Sequence, residues 1–136
     1  MKRTVNAMKD SYMDLTEAEW TVMECLWEKA PRTGRETVEW LEQKMGWSRS
    51  TTLTLLRRLE AKGAVEGNTE GELKTFRPLV SREEVAVRET ENLLERAYKG
   101  SLSLLVSSLT RKQNLSRKEI DELYAILKEM EEKNHD

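Results

Sequence analysis

Ser48-Arg49-Ser50-Thr51-Thr52-Leu53-Thr54-Leu55-Leu56-Arg57-Arg58-Leu59-Glu60-Ala61-Lys62-Gly63 is the stretch that decides the fold. Ser48 is a good N-cap, because its hydroxyl can accept an orphan backbone N–H of the first turn. Gly63 stands where a helix closes in the left-handed conformation. The spacing predicts a helix capped by Ser48 and running to Lys62, with Leu55, Leu56 and Leu59 inward and Thr52 one turn earlier. Its outward face carries short polar groups at Ser48, Ser50, Thr51 and Thr54, with Arg49 among them and Arg57 and Arg58 further along. Such a face suits a helix lying in the major groove of DNA, with base edges met near its N-terminus. Free N–H groups at that end also favour phosphate. By itself a Ser, Thr and Arg face is more often plain solvated surface, so the neighbouring elements carry the decision.

Upstream, Thr16-Glu17-Ala18-Glu19 fits a capping box, flanked by Leu15 and Trp20. It opens a helix predicted over 17–28, with Ala18, Val22, Cys25 and Leu26 on one face. After Pro31, Thr33-Gly34-Arg35-Glu36 repeats the box and opens a short helix ending near Met45 and Gly46, with Val38, Leu41 and Met45 inward. Downstream the period changes. Ala64–Glu66 and Leu73–Arg77 read as short strands around the turn-rich Gly67-Asn68-Thr69-Glu70-Gly71, and Pro78 ends the hairpin. Three helices and then a hairpin, within residues 15–80, is the order of a winged helix-turn-helix domain. The middle two helices form the helix-turn-helix and the hairpin is the wing. Residues 1–14 are expected to form a flexible segment. On this reading Ser50, Thr51 and Thr54 meet bases. Arg49, Arg57, Arg58 and Lys74 hold phosphates, and Lys62 extends the backbone contacts.

Residues 81–136 read as a helical dimerisation domain. Ser81-Arg82-Glu83-Glu84 is a third capping box, between Val80 and Val85. It opens a helix reaching about Tyr98, with Val87, Thr90, Leu94 and Ala97 at helical spacing. Gly100 breaks it. The next helix carries Leu102, Leu105, Val106 and Leu109, and the polar stretch Thr110–Asn114 follows. Ser116-Arg117-Lys118-Glu119 opens the last helix, where Ile120, Leu123, Leu127 and Met130 make a coiled-coil-like seam. Short helices gain most of their stability from packing. A second copy of the chain is the simplest partner for these stripes; packing onto the N-terminal domain is the alternative. The fold class is therefore mainly α with a small β-hairpin, a winged helix plus a dimerisation domain.

The charge balance, 23 Lys and Arg against 25 Asp and Glu, excludes a generally basic coat. Four cations against Glu60 alone within residues 46–63 instead make a local phosphate-binding patch. A single cysteine, Cys25, excludes an intramolecular disulfide and reads as a small core hydrophobe. The one histidine, His135, sits in the tail. Trp20, Trp27, Trp40 and Trp47 read as core or interface residues. No clustered ligands suggest a metal, no cofactor motif is present, and no nucleophile–base pair suggests an enzyme. No apolar run approaches the roughly 18–20 residues that span a bilayer, and Met1–Asp14 lacks an apolar signal stretch, so a cytoplasmic location without membrane insertion is expected.

The same residues resemble the penicillinase and methicillin-resistance repressors and the related copper-transport repressors, the BlaI/MecI/CopY family. The resemblance runs from Leu15 over nearly the whole chain. It rests on Ala18-Glu19-Trp20, Val22-Met23 and Trp27; on Trp47-Ser48, Thr51, Thr54-Leu55, Arg58-Leu59 and Lys62-Gly63; on Tyr98-Lys99-Gly100; and on Leu115-Ser116, Glu119-Ile120 and Glu122-Leu123. It implies a homodimer that binds a dyad-symmetric operator in double-stranded DNA, represses transcription, and interlocks through its C-terminal helices. It further implies a link to antibiotic resistance and a membrane sensor-protease system that triggers cleavage in the helix after Gly100. The antibiotic-responsive members have Asn-Phe at the cleavage point, where this chain has Ser108-Leu109. Leu53 replaces an arginine and Ser50 a lysine, so a different sequence preference is expected, with Leu53 joining the base-reading residues against a thymine methyl. The copper-responsive members carry Cys-x-Cys motifs, which this chain lacks, and copper sensing by that route is excluded. Two alternatives stay open: a winged helix that docks another protein, and a repressor induced by a small molecule.

Overall fold

The structure, a computed structural model, describes residues 14–112 and 114–134. The segment expected to be flexible lies outside these residues up to Met13, as does His135. The chain forms two compact units, the first ending at Asn92 and the second beginning at Leu93.

In the first unit the order is α1 (Glu17–Glu28), β1 (Arg32–Thr33), α2 (Gly34–Met45), α3 (Arg49–Lys62), β2 (Val65–Asn68), β3 (Thr75–Pro78) and the start of α4 (Arg82–Tyr98). Both upstream capping boxes are present with their reciprocal bonds, Thr16 with Glu19 and Thr33 with Glu36. Gly46 and Gly63 close α2 and α3 at φ 69° and 85°, a region open to glycine and costly for other residues. The core is built from Val22, Met23 and Leu26 of α1, Leu41 of α2, and Leu55, Leu56 and Leu59 of α3. Phe76 of β3, Val80 of the segment after it, and Val85 of α4 close it. Val80 and Val85 are both buried and flank the start of α4, as the staple predicts. The four tryptophans are partly buried against this cluster. Trp20 and Trp27 meet edge to face at 5.4 Å, and the Trp27 indole N–H donates to the Val80 carbonyl at 2.9 Å. This is a winged-helix fold.

Three details differ from the sequence reading. The hairpin is part of a three-stranded antiparallel sheet in the order β1-β3-β2, with Arg32 opposite Phe76 and Thr33 opposite Thr75. A two-residue strand beside a proline has no periodicity to betray it. Pro78 lies inside β3, opposite Val65, where the sequence reading ended the strand before it. Because β1 pairs only with Thr75 and Phe76, the missing N–H of Pro78 breaks no ladder bond on that side. Met45, expected inward, is 49% exposed. It falls one turn past Leu41, the last residue of α2 in the core cluster.

The second unit holds the end of α4, then α5 (Leu102–Lys112) and α6 (Arg117–Lys133). Lys99 and Gly100 both have positive φ and turn the chain between α4 and α5. None of the described residues from Leu93 onward is buried.

Candidate nucleic-acid interface

Helix α3 begins with a chain of hydroxyls. Ser48 Oγ accepts the Thr51 backbone N–H at 3.2 Å, donates to Thr51 Oγ1 at 3.0 Å, and lies 3.1 Å from Ser50 Oγ. These three side chains are exposed, as are Arg49, Arg57 and Arg58, while Thr54 is half-buried. Among the described residues, Arg49, Arg57 and Arg58 have no hydrogen-bond or ion-pair partner. An unpaired guanidinium keeps its full charge available for phosphate or base edges. Arg58, Ser50, Thr51 and Thr54 line one shallow pocket of about 310 Å³, closed on its far side by Ala18 of α1. The first turn of α1 thus borders the face that α3 presents, a neighbour that no feature of the sequence singled out.

The other three residues of the sequence-predicted set are placed differently. Leu53 packs half-buried against the core, and its Cδ2 would lie 3.6 Å from a Cβ built on Gly34. Lys62 Nζ donates to the Glu19 carboxylate at 2.6 Å and to the Asp14 carbonyl at 3.0 Å. Glu19 is 2% exposed. Burial would raise its pKa, but the Lys62 hydrogen bond, the Thr16 N–H and the Lys62 charge together hold it below the ordinary value. This pair ties the start of α1 to the end of α3. Lys74 binds Glu60 at 3.0 Å, and Arg77 binds Glu66 at 2.9 Å. A Cβ at Gly67 would collide with the Lys74 side chain, so glycine there leaves room for the bridge across to α3. Both wing cations are therefore neutralised, while the tip carries Glu70 and Glu72.

Cys25 is fully buried, and burial pushes its thiol up to about 11 against the opposing pull of Arg32. It is a core residue with negligible thiolate at neutral pH.

In the second unit the apolar residues lie open. Leu102, Leu109, Ile126, Leu127 and Met130 are each more than half exposed, Val106 and Leu123 are exposed, and Leu94, Leu105 and Ile120 are half-buried. Ser108 and Leu109 are exposed within α5, and the Tyr98 hydroxyl lies 3.4 Å from Ser108 Oγ.

The family model described as penicillinase repressor matches residues 15–129. The chain belongs to this family. The methicillin resistance regulatory protein MecI of Mammaliicoccus sciuri is 29% identical over 120 residues, covering 88% of this chain and 98% of its own. The penicillinase repressor of Bacillus licheniformis is 31% identical over 115 residues, covering 85% of this chain and 90% of its own. A solution structure of the DNA-binding domain of the repressor BlaI is similar at 28% identity, with a TM-score of 0.48, over 52% of this chain and 87% of that one. The penicillinase repressor match spans the whole winged helix together with α5 and most of α6, so both units are part of what the family shares.

Proposed function

We propose that this chain represses transcription as a homodimer seated on a dyad-symmetric operator in double-stranded DNA. It is a DNA-binding transcriptional repressor of the penicillinase-repressor type. The observation that carries the DNA contact is the α3 face: three unpaired arginines beside a hydroxyl-lined pocket, on a chain of net charge −2. The three arginines gather positive charge on the face where a duplex would lie, which favours one docked orientation. Arg49 and Arg58 hold phosphates, and Ser50, Thr51 and Thr54 approach base edges at the N-terminal half of α3. Lys62 and Lys74 would first have to leave Glu19 and Glu60 to join them.

The exposed apolar stripes of α5 and α6 support the homodimer. Burying a Leu or Met side chain contributes about 1.5–3 kcal/mol, and Leu102, Leu109, Leu123, Leu127 and Met130 all stand exposed in the single chain. Interlocking of these helices with a second copy places two α3 helices on one duplex. Relief of repression by a membrane sensor-protease system would act at Ser108-Leu109 on α5. No helix among the described residues is long and apolar enough to cross a membrane, and the site of action is the cytoplasm.

The test is a mobility shift with the DNA upstream of the chain's own gene at two salt concentrations. Four phosphate-holding arginines in a dimer, Arg49 and Arg58 of each chain, predict a slope of log affinity against log salt of about −4. A salt-sensitive shift saturating at two chains per duplex is the expected result. Binding indistinguishable from that to random DNA would shift the reading to a winged helix that docks another protein.

A further inference from the structure

The two adjacent arginines of α3 do not share a face. Successive residues of an α-helix are about 100° apart, and the buried side of α3 is fixed by Thr52, Leu55, Leu56 and Leu59. Directly opposite that side stand Ser50, Thr54, Arg57 and Ala61. Ser50, Arg57 and Ala61 are exposed and Thr54 is half-buried. Arg58 and Thr51 fall on one flank, toward the pocket bordered by Ala18. Leu53 falls on the other flank, packed against the core and within reach of Gly34. A helix seated in the major groove turns its flanks to the two phosphate walls and the side opposite its core to the base edges. The residue on that axis with the longest reach and the strongest donor fork is Arg57.

We propose that Arg57 is the main base-reading residue of this repressor, taking a guanine through its O6 and N7 in the major groove, whereas Arg58 clamps phosphate. The inference rests on the DNA-binding reading above. It moves Arg57 from the phosphate set of the sequence analysis to the specificity set, and it takes Leu53 out of base contact. Two observations support it beyond position. Arg57 is held by no carboxylate among the described residues, so its fork is free. Its neighbours on the axis, Ser50, Thr54 and Ala61, are short, so the guanidinium can pass them to the groove floor. A bidentate Arg–guanine pair discriminates against the wrong base by about 5- to 150-fold, while a phosphate contact carries no sequence information.

The experiment compares the full chain with Arg57→Ala, Arg57→Gln and Arg58→Ala, each checked for folding by circular dichroism. The probes are a duplex selected by the wild-type protein from a randomised pool and all its single-base-pair substitutions. Wild type should show a strong G·C preference at one position in each half-site. Arg57→Ala should level that position by about 5- to 150-fold and leave the rest of the profile intact. Arg57→Gln should tilt it toward A·T, since a glutamine amide matches adenine N6 and N7. Arg58→Ala should weaken binding to every duplex alike and flatten the salt slope of the dimer by about two units, one arginine being lost from each chain. An unchanged base profile in Arg57→Ala, whatever its salt slope, overturns the inference. A profile levelled instead by Arg58→Ala overturns it equally. Failure of the wild-type protein to select any sequence would sink the repressor reading itself, and would show before any variant was compared.

Discussion

At the scale of single residues, the pair Glu19–Lys62 shows how one carboxylate serves two tasks. Its oxygen accepts the Thr16 N–H that starts α1 and the Lys62 ammonium that ends α3. Because its folded pKa lies below the ordinary value of 4.5, its contribution to stability is fully present above that pH. The contribution is lost as pH falls through the lower folded value. Glu19→Gln should therefore lower stability at neutral pH by about 1–3 kcal/mol, since Lys62 and the cap N–H lose a charged partner. It should also flatten the acid limb of a stability–pH profile measured by urea unfolding. An acid limb identical to wild type would show that another carboxylate sets it. The capping box at Thr16 was legible because it is local chemistry at fixed spacing. The Lys62 bond was not legible, because it joins residues 43 positions apart, and Lys62 was read as a DNA contact on charge alone. Leu53 misled for another reason: the family resemblance puts it at a position an arginine holds in relatives, and only its packing against the core takes it from the base-reading set.

At the scale of elements, the wing differs from a generic phosphate-binding hairpin. Its Lys74 and Arg77 are bridged to Glu60 and Glu66, and its tip bears Glu70 and Glu72. With the wing set against the duplex backbone, as the proposed function has it, this negative tip would oppose binding. The double substitution Glu70→Lys with Glu72→Lys should raise affinity for specific and random duplexes together and steepen the salt slope of the dimer by up to about four units. Fluorescence anisotropy at several salt concentrations would measure this, and unchanged affinity would mean the tip lies away from phosphate. The three helices of this unit were legible from caps and apolar spacing, to within a residue at each end. The sheet was legible only in part. β1 is two residues long, and its existence depends on pairing with Phe76 and Thr75, a tertiary contact with no local pattern.

At the scale of the whole molecule, the chain couples a closed core with an open one. The first unit buries its apolar residues; the second leaves Leu102, Leu109, Leu123, Leu127 and Met130 exposed. The apolar spacing of α5 and α6 is visible in the sequence, and the proposed homodimer is what would cover it. Which surface meets which is not encoded in any local pattern. Leu123→Glu combined with Leu127→Glu should convert a dimer to a monomer in sedimentation velocity while leaving the circular dichroism of the winged helix intact. Persistence of the dimer would place the contact on other helices. The measurement that reaches the central claim most directly is a hydroxyl-radical footprint of the wild-type protein on the DNA it selects. The account predicts two protected patches related by a dyad, centred about 10 base pairs apart or a multiple of that spacing. One patch without symmetry, or uniform reactivity along the duplex, would contradict it.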